Sequence, residues 1–380
     1  MRKLKIVGIN TLRGFLTPLL NFIIAIIGIK YFGKENWGEV IDILLWIYFF
    51  VIIANWGNKE YLVRKYSRFP SKINKTYFSS LFSRSPLLLL SIIFFMFFKT
   101  NSAILCVILS IIMYCYSSLD SLIIFHQKFG VQLISDVLSF STILIILYLN
   151  PNYNLDIILL AYLTGALVKT SYLVYKLNLF KEKISYHFSI TELKHYIPFF
   201  FVAFLSWIAT KIDMYIVTIN LNKTDISEYQ IISNSFILIN VGFAFIISPF
   251  SKHIYRLPMT SVNKIKSKLN IIALPYLLIC SLAIWLIMEK LLLLNINTSY
   301  YYFSTLKALF PLFFMIDIMI LNKYNFEKKV TYTILFGILI NLLCMYLLIE
   351  KYRVIGVIIS TCISKFFLLF SYKWHTKNIH

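Results

Sequence analysis

Apolar runs of 18 or more residues recur along the whole chain, each set off from the next by a short polar stretch. As a helix rising about 1.5 Å per residue, each run is long enough to cross a hydrocarbon core of about 30 Å. The pattern predicts twelve spans, roughly at 10–30, 38–57, 76–98, 102–125, 131–149, 155–175, 197–219, 226–250, 269–289, 299–321, 331–349 and 354–372. Strict two-residue alternation is missing, which argues against a transmembrane barrel. The longest polar stretches run to about 20 residues, so no compact soluble domain fits between the spans. The expected fold class is an all-α polytopic membrane protein.

The polar stretch 176–196, "KLNLFKEKISYHFSITELKHY", divides the spans six and six. Each half begins with a basic approach and carries a proline early in its first span, Pro18 in one and Pro198 in the other. The expectation is a duplicated six-helix unit, with halves at 1–185 and 186–380 and a site at the repeat interface, as internal-repeat transporters have. Pro86, Pro249, Pro275 and Pro311 lie within or at the ends of further spans, where each frees backbone groups that neighbours or water must satisfy.

Composition agrees with the pattern: 59% of the 380 residues are hydrophobic and 14% are charged, against about 25% charged in soluble domains. The net charge of +21 raises the question of nucleic acid. Location answers it, because 24 of the 37 Lys and Arg fall in alternate loops and at the two termini. That bias is the positive-inside rule, and it places both termini in the cytoplasm. The charge reports topology and excludes nucleic acid as the partner. The first apolar run has no small-residue cleavage site behind it and is expected to stay as span one. Cys106, Cys115, Cys280, Cys344 and Cys362 all fall inside spans without metal-type spacing, so neither a metal nor a disulfide framework is expected.

Charges inside the spans separate by depth. Arg13 and Lys169 lie close enough to the cytoplasmic surface to snorkel. Asp42, Asp120, Asp136 and Asp317 lie within a turn or two of an interface, where partial hydration is expected to serve most of them. Four cations are deeper: Arg84, Lys211, Lys307 and Lys365. A charge at such depth costs about 2.5–3.5 kcal/mol on insertion scales, so it needs a cavity or a partner. Lys211 and Asp213, in "SWIATKIDMYIV", sit two residues apart and point about 200° from each other, too far for an intrahelical pair. Asp213 is expected to be hydrated, to pair with a basic residue on a neighbouring helix, or to exchange a proton. Deep cations from several helices would line a cavity that attracts an anion, and phosphate suits both Arg and Lys.

Several stretches together resemble a known family. "YFGKENWGEV" after span one, "NWGNKEYLVRKYSR" after span two with Gly57 and Arg64, and "ATKIDMYIVTIN" with "ISEYQIISNSF" in spans seven and eight are similar to landmarks of polysaccharide-lipid flippases of the MOP superfamily. "ISPFSKHIYR" and "VIGVIISTCIS" add a span-ending proline and a late glycine. The likeness to these Wzx-type O-antigen and capsule repeat-unit exporters runs over essentially the full length, with Lys211 standing where the family pattern has Arg. It implies transport without covalent chemistry, and hence no catalytic residues. Undecaprenyl-diphosphate-linked oligosaccharide would pass from the cytoplasmic to the outer leaflet of a bacterial inner membrane through a cationic cavity. Rocking of two six-helix halves would give alternating access. Polysaccharide polymerase and chain-length machinery are the implied partners. No cofactor is implied; coupling to protons or sodium is compatible, with Asp213 the first candidate.

Two other classes share the hydropathy. A membrane-embedded polymerase or ligase needs a sizeable external loop and catalytic groups, whereas external loops here are as short as "NPNYN" and all six histidines fall in cytoplasmic loops or the tail. A multidrug or solute exporter of the same superfamily would favour an acidic cavity for cationic cargo. The deep charges here are mostly basic.

Overall fold

The computed structural model describes residues 2–98, 102–150, 152, 154–179, 188, 190–247, 254, 257–324 and 326–378. Among them the regular elements are all helical. In chain order they are α1 (Arg2–Phe32), α2 (Lys34–Asn55), α3 (Asn58–Arg68), α4 (Ile73–Arg84), α5 (Leu89–Phe98), α6 (Ala103–Ser118) and α7 (Asp120–His126). Then follow α8 (Phe129–Leu149), α9 (Leu155–Lys176), α10 (Ile190–Asn220), α11 (Lys223–Ile247), α12 (Met259–Trp285), α13 (Thr298–Lys323) and α14 (Glu327–Lys377).

Nine of the described helical segments are long and apolar enough to cross a membrane, ten when the bent α10 is taken as one span. The 51-residue α14 breaks at Arg353, whose φ of 48° and ψ of −129° are not helical, and therefore makes two passes. The 25 residues of α11 supply another. The described residues thus hold the expected twelve. The expected dividing stretch falls largely outside the described residues, as do Pro249 and most of "ISPFSKHIYR".

Prolines lie near two of the irregularities. The residues 193–201 and 203–220 of α10 meet at 43°, just beyond Pro198, which has no N–H for the helix ladder. Pro86 sits in the 3-10 turn Ser85–Leu88 that separates α4 from α5 within one span. Pro18, Pro275 and Pro311 lie inside continuous helices.

The chain forms two compact units: Met1–Arg13 with Tyr31–Thr210, and Gly14–Lys30 with Lys211–His380. In the first, α2 packs on α6, α8 on α9, α6 on α9 and α3 on α7. Tyr66, Tyr77, Leu119, Leu122, Leu173 and Tyr196 form one of its buried clusters. In the second, α13 packs against α11, α12 and α14. Large apolar side chains such as Ile145, Leu278 and Leu343 stay exposed on the helices, as hydrocarbon solvent allows.

A left-handed turn joins α2 to α3, with φ of 46° at Trp56 and 69° at Gly57. A Cβ on Gly57 would strike the backbone nitrogen of Phe200 and lie 2.7 Å from the carbonyl carbon of Phe199. Only glycine satisfies both the backbone angle and that close approach. The Trp56 indole N–H donates to the Leu193 carbonyl at 3.2 Å, and its ring stacks on Phe200 at 4.2 Å. The "NWGN" landmark is therefore a tie between the α2–α3 turn and α10.

Candidate functional site

Three of the four deep cations belong to the second unit, and one of them, Lys307, contacts a buried carboxylate. Asp213 on α10 is 9% exposed. Its Oδ2 accepts a short hydrogen bond from the hydroxyl of Tyr229 on α11. The Lys307 ammonium on α13 lies 3.6 Å from the same oxygen and donates to the Tyr229 oxygen at 3.3 Å. It also sits 5.5 Å from the centre of the Tyr229 ring. Asp213 Oδ1 accepts from the Met214 backbone N–H at 2.9 Å. Lys211, from the same helix, feels Asp213 and Lys307 as its neighbouring charges, and so does Lys365 on α14. Neither Lys211 nor Lys365 forms an ion pair among the described residues, and all three lysines are partly exposed.

The cluster thus carries three ammonium groups against one carboxylate. Like charges held together in a low-dielectric setting repel, and one carboxylate offsets only one of them. Each ammonium offers three donors and no acceptor. The arrangement is suited to receive an anion. It also explains the opposite signs two residues apart on α10. Asp213 faces the tyrosine and lysine of two neighbouring helices, which is one of the arrangements expected from sequence.

Arg84 is different. It belongs to the first unit, ends α4, and has no exposed surface. Its Nη1 donates to the Asn55 carbonyl at 2.9 Å, its Nε to the Ser80 carbonyl at 3.1 Å, and its Nη2 to Ser118 Oγ at 3.4 Å. The guanidinium also lies 5.4 Å from the Tyr114 ring centre. Asn55 is the last residue of α2. Arg84 therefore caps a helix C-terminus, where the final carbonyls lack partners and the dipole favours a cation. Around it, Ser80 Oγ donates to Asn58 Oδ1 at 3.2 Å, Tyr196 donates to Ser80 Oγ at 2.7 Å, and Asn55 donates to Ser117 at 2.6 Å. Sequence depth put Arg84 with the cavity cations; its donors are instead directed at protein acceptors.

The charges near the interfaces are also met by protein. Asp42 accepts from the Trp46 indole at 3.1 Å, and Asp120 from Gln132 at 2.8 Å. Asp136 accepts from the Tyr116 hydroxyl at 2.7 Å and lies 3.9 Å from Arg13 Nε. The Lys169 ammonium sits 3.9 Å from the Tyr116 ring centre rather than reaching for the surface. Asp317, wholly buried, pairs closely with Lys266 and accepts from Thr376 at 3.1 Å. Hydration was the expectation for most of these aspartates; instead Asp120, Asp136 and Asp317 find partners on neighbouring helices and Asp42 finds one a turn along its own.

Sequence reasoning passed over Tyr229, the wholly buried residue that joins Asp213 to Lys307. Its one signal was its place in "ISEYQIISN", and 26 tyrosines in the chain hide it. The buried arginine had a better signal in the hydroxyl-rich "SSLFSRS" and "SSLDS" of spans three and four. Among the described residues, no group of three or more His, Cys, Asp or Glu is placed to hold a metal.

No family model matches the sequence, and no curated protein does either. Solved structures do. A lipid II flippase, MurJ, in an inward closed conformation superposes with a TM-score of 0.76 over 97% of this chain and 87% of that one, at 16% identity. A multidrug resistance MATE family transporter of the MOP superfamily, inward-facing, gives a TM-score of 0.64 over 96% and 94%, at 11% identity. At such identities the likeness is one of fold. The chain is a multi-pass helical membrane protein that shares its fold with these two structures.

Proposed function

We propose that this protein is a flippase that carries undecaprenyl-diphosphate-linked oligosaccharide repeat units from the cytoplasmic to the outer leaflet of a bacterial inner membrane. The observation that carries the reading is the Lys307 ammonium 3.6 Å from the single carboxylate of Asp213, with Lys211 and Lys365 within electrostatic reach of the same charges. An excess of ammonium groups at membrane depth selects an anionic cargo, and a diphosphate offers several acceptor oxygens to separate lysines. The fold shared with a lipid II flippase supports a lipid-linked cargo. Movement proceeds by alternating access with no bond made or broken, so the protein is not an enzyme. Coupling to protons or sodium belongs to the same proposal. Repeat units delivered outside would feed O-antigen, lipopolysaccharide or capsule assembly, with polymerase and chain-length proteins as the receiving partners.

The fold shared with a multidrug MATE transporter favours a second reading, a solute exporter. The basic cluster weighs against cationic drugs as its cargo. Depleting the protein and following lipid-linked oligosaccharide by leaflet separates the readings. The flippase reading predicts accumulation on the cytoplasmic leaflet with loss of surface polysaccharide. Unchanged delivery to the outer leaflet, with altered drug sensitivity, would establish the exporter instead.

A further inference from the structure

Lys307 and Asp213 are held unequally. The carboxylate has the close hydrogen bond from Tyr229 on one oxygen and the Met214 N–H at 2.9 Å on the other. The ammonium lies 3.6 Å from the carboxylate and 3.3 Å from the tyrosine oxygen. Both distances exceed the 2.7–2.9 Å of a strong charge-assisted bond. The carboxylate is short and anchored. The lysine sits at the end of a flexible four-carbon stem, and its side chain keeps 18% of its surface exposed against 12% for the aspartate. Any anion entering this cluster meets one lysine already shared with a fixed carboxylate and two, Lys211 and Lys365, that form no ion pair among the described residues.

We propose that Asp213 is an intramolecular competitor for the cargo: its carboxylate and the anionic part of the cargo contend for the Lys307 ammonium. This rests on the functional reading above and adds how cargo is let go. Three lysines alone would hold an anion too well for a carrier, which must release what it binds. A fixed carboxylate beside the most engaged lysine limits the affinity and offers Lys307 a partner as the anion leaves. Tyr229 keeps the carboxylate in place while the lysine swings.

The role differs in sign from ion coupling. A proton on Asp213 would release Lys307 and strengthen anion binding. A proton-driven exporter needs proton and cargo to exclude one another, since binding free energies are reciprocal. The geometry therefore favours Asp213 as a counter-ion over the coupling role expected for it from sequence. Among the described residues, the other charged or titratable groups at the site are Lys211 on its own helix, Tyr229 on α11, Lys307 on α13, and Lys365 and Cys362 on α14.

The test is a double-mutant cycle read by pyrophosphate binding to the purified full chain in nanodiscs. Asp213→Asn keeps the shape and the acceptor for Tyr229 but removes the charge; Asp213→Ser serves if the amide fails to fold. The expected result is pyrophosphate affinity raised roughly tenfold, the order of one hydrogen bond to a charged group, with slower turnover in export. In a Lys307→Gln background the same change should raise affinity less than about threefold, because the contested lysine is gone. Affinity unchanged or lowered in Asp213→Asn overturns the competitor. So does an undiminished gain in the Lys307→Gln background, which would mean simple long-range repulsion. Binding that survives Lys211→Gln, Lys307→Gln and Lys365→Gln together would place the anion elsewhere, overturning the functional reading and the competitor with it.

Discussion

Replacing Arg84 by Met keeps a long unbranched side chain and removes the guanidinium. Two of its hydrogen bonds are short, to the Asn55 and Ser80 carbonyls at 2.9 and 3.1 Å. Bonds to a charged donor are worth about 1.5–3 kcal/mol each, so the pair amounts to about 3–6 kcal/mol. The Ser80 carbonyl lies within α4, whereas the Asn55 carbonyl ends α2 and depends more on the arginine. Relief of the guanidinium's desolvation returns part of the loss. The expected net cost is about 3 kcal/mol, near the lower end of what breaking a buried charged contact costs. Arg84→Lys should recover little, because a point charge cannot reach acceptors on three helices as a planar fork does. The assay is denaturant or thermal unfolding of the purified protein in detergent, with export measured in parallel at matched expression. Export should fall only as far as the amount of folded protein falls. An Arg84→Met protein of wild-type stability that has lost export would refute this and return Arg84 to the cargo site.

Other outcomes follow from the same geometry. Gly57→Ala should destabilise by about 1–3 kcal/mol, since it places an L side chain at a strained φ and against the Phe200 backbone; wild-type stability would mean that turn is not as described. Cysteines at the exposed positions Asn152 and Asn297 should react with an impermeant thiol reagent from outside, and one at Ser71 should not. Reversed labelling would overturn the orientation. Tyr229→Phe should reduce export, because the carboxylate loses its closest donor; export at the wild-type rate would show that Asp213 needs no anchoring.

The spans were legible because burial in hydrocarbon demands length and apolarity, and both are local properties of sequence. Their irregularities were legible in part: Pro86 and Pro198 lie near two breaks, and the polar "EKYR" between the spans expected at 331–349 and 354–372 marks the interruption of α14 at Arg353. Depth along a helix could be counted, so Lys211, Lys307 and Lys365 stood out. Depth did not distinguish them from Arg84. What separates them is the company each keeps, and Asn55 and Ser118 reach Arg84 only after three helices pack. For the same reason the partner of Asp213 was visible as a class, a basic residue on a neighbouring helix, and not as Lys307. Asp120, Asp136 and Asp317 were assigned to water because their own helices offer them nothing better; the assembled bundle offers Gln132, Tyr116 and Lys266, whereas the Trp46 partner of Asp42 lies one turn along the same helix.

The central claim is that three lysines in one helical unit bind the anionic part of a lipid-linked cargo. It is tested most directly in cells depleted of the native protein and supplied with the Lys211→Gln, Lys307→Gln, Lys365→Gln variant at matched abundance and stability. The account predicts lipid-linked oligosaccharide trapped on the cytoplasmic leaflet, as if no protein had been supplied. Delivery to the outer leaflet at the wild-type rate would contradict it.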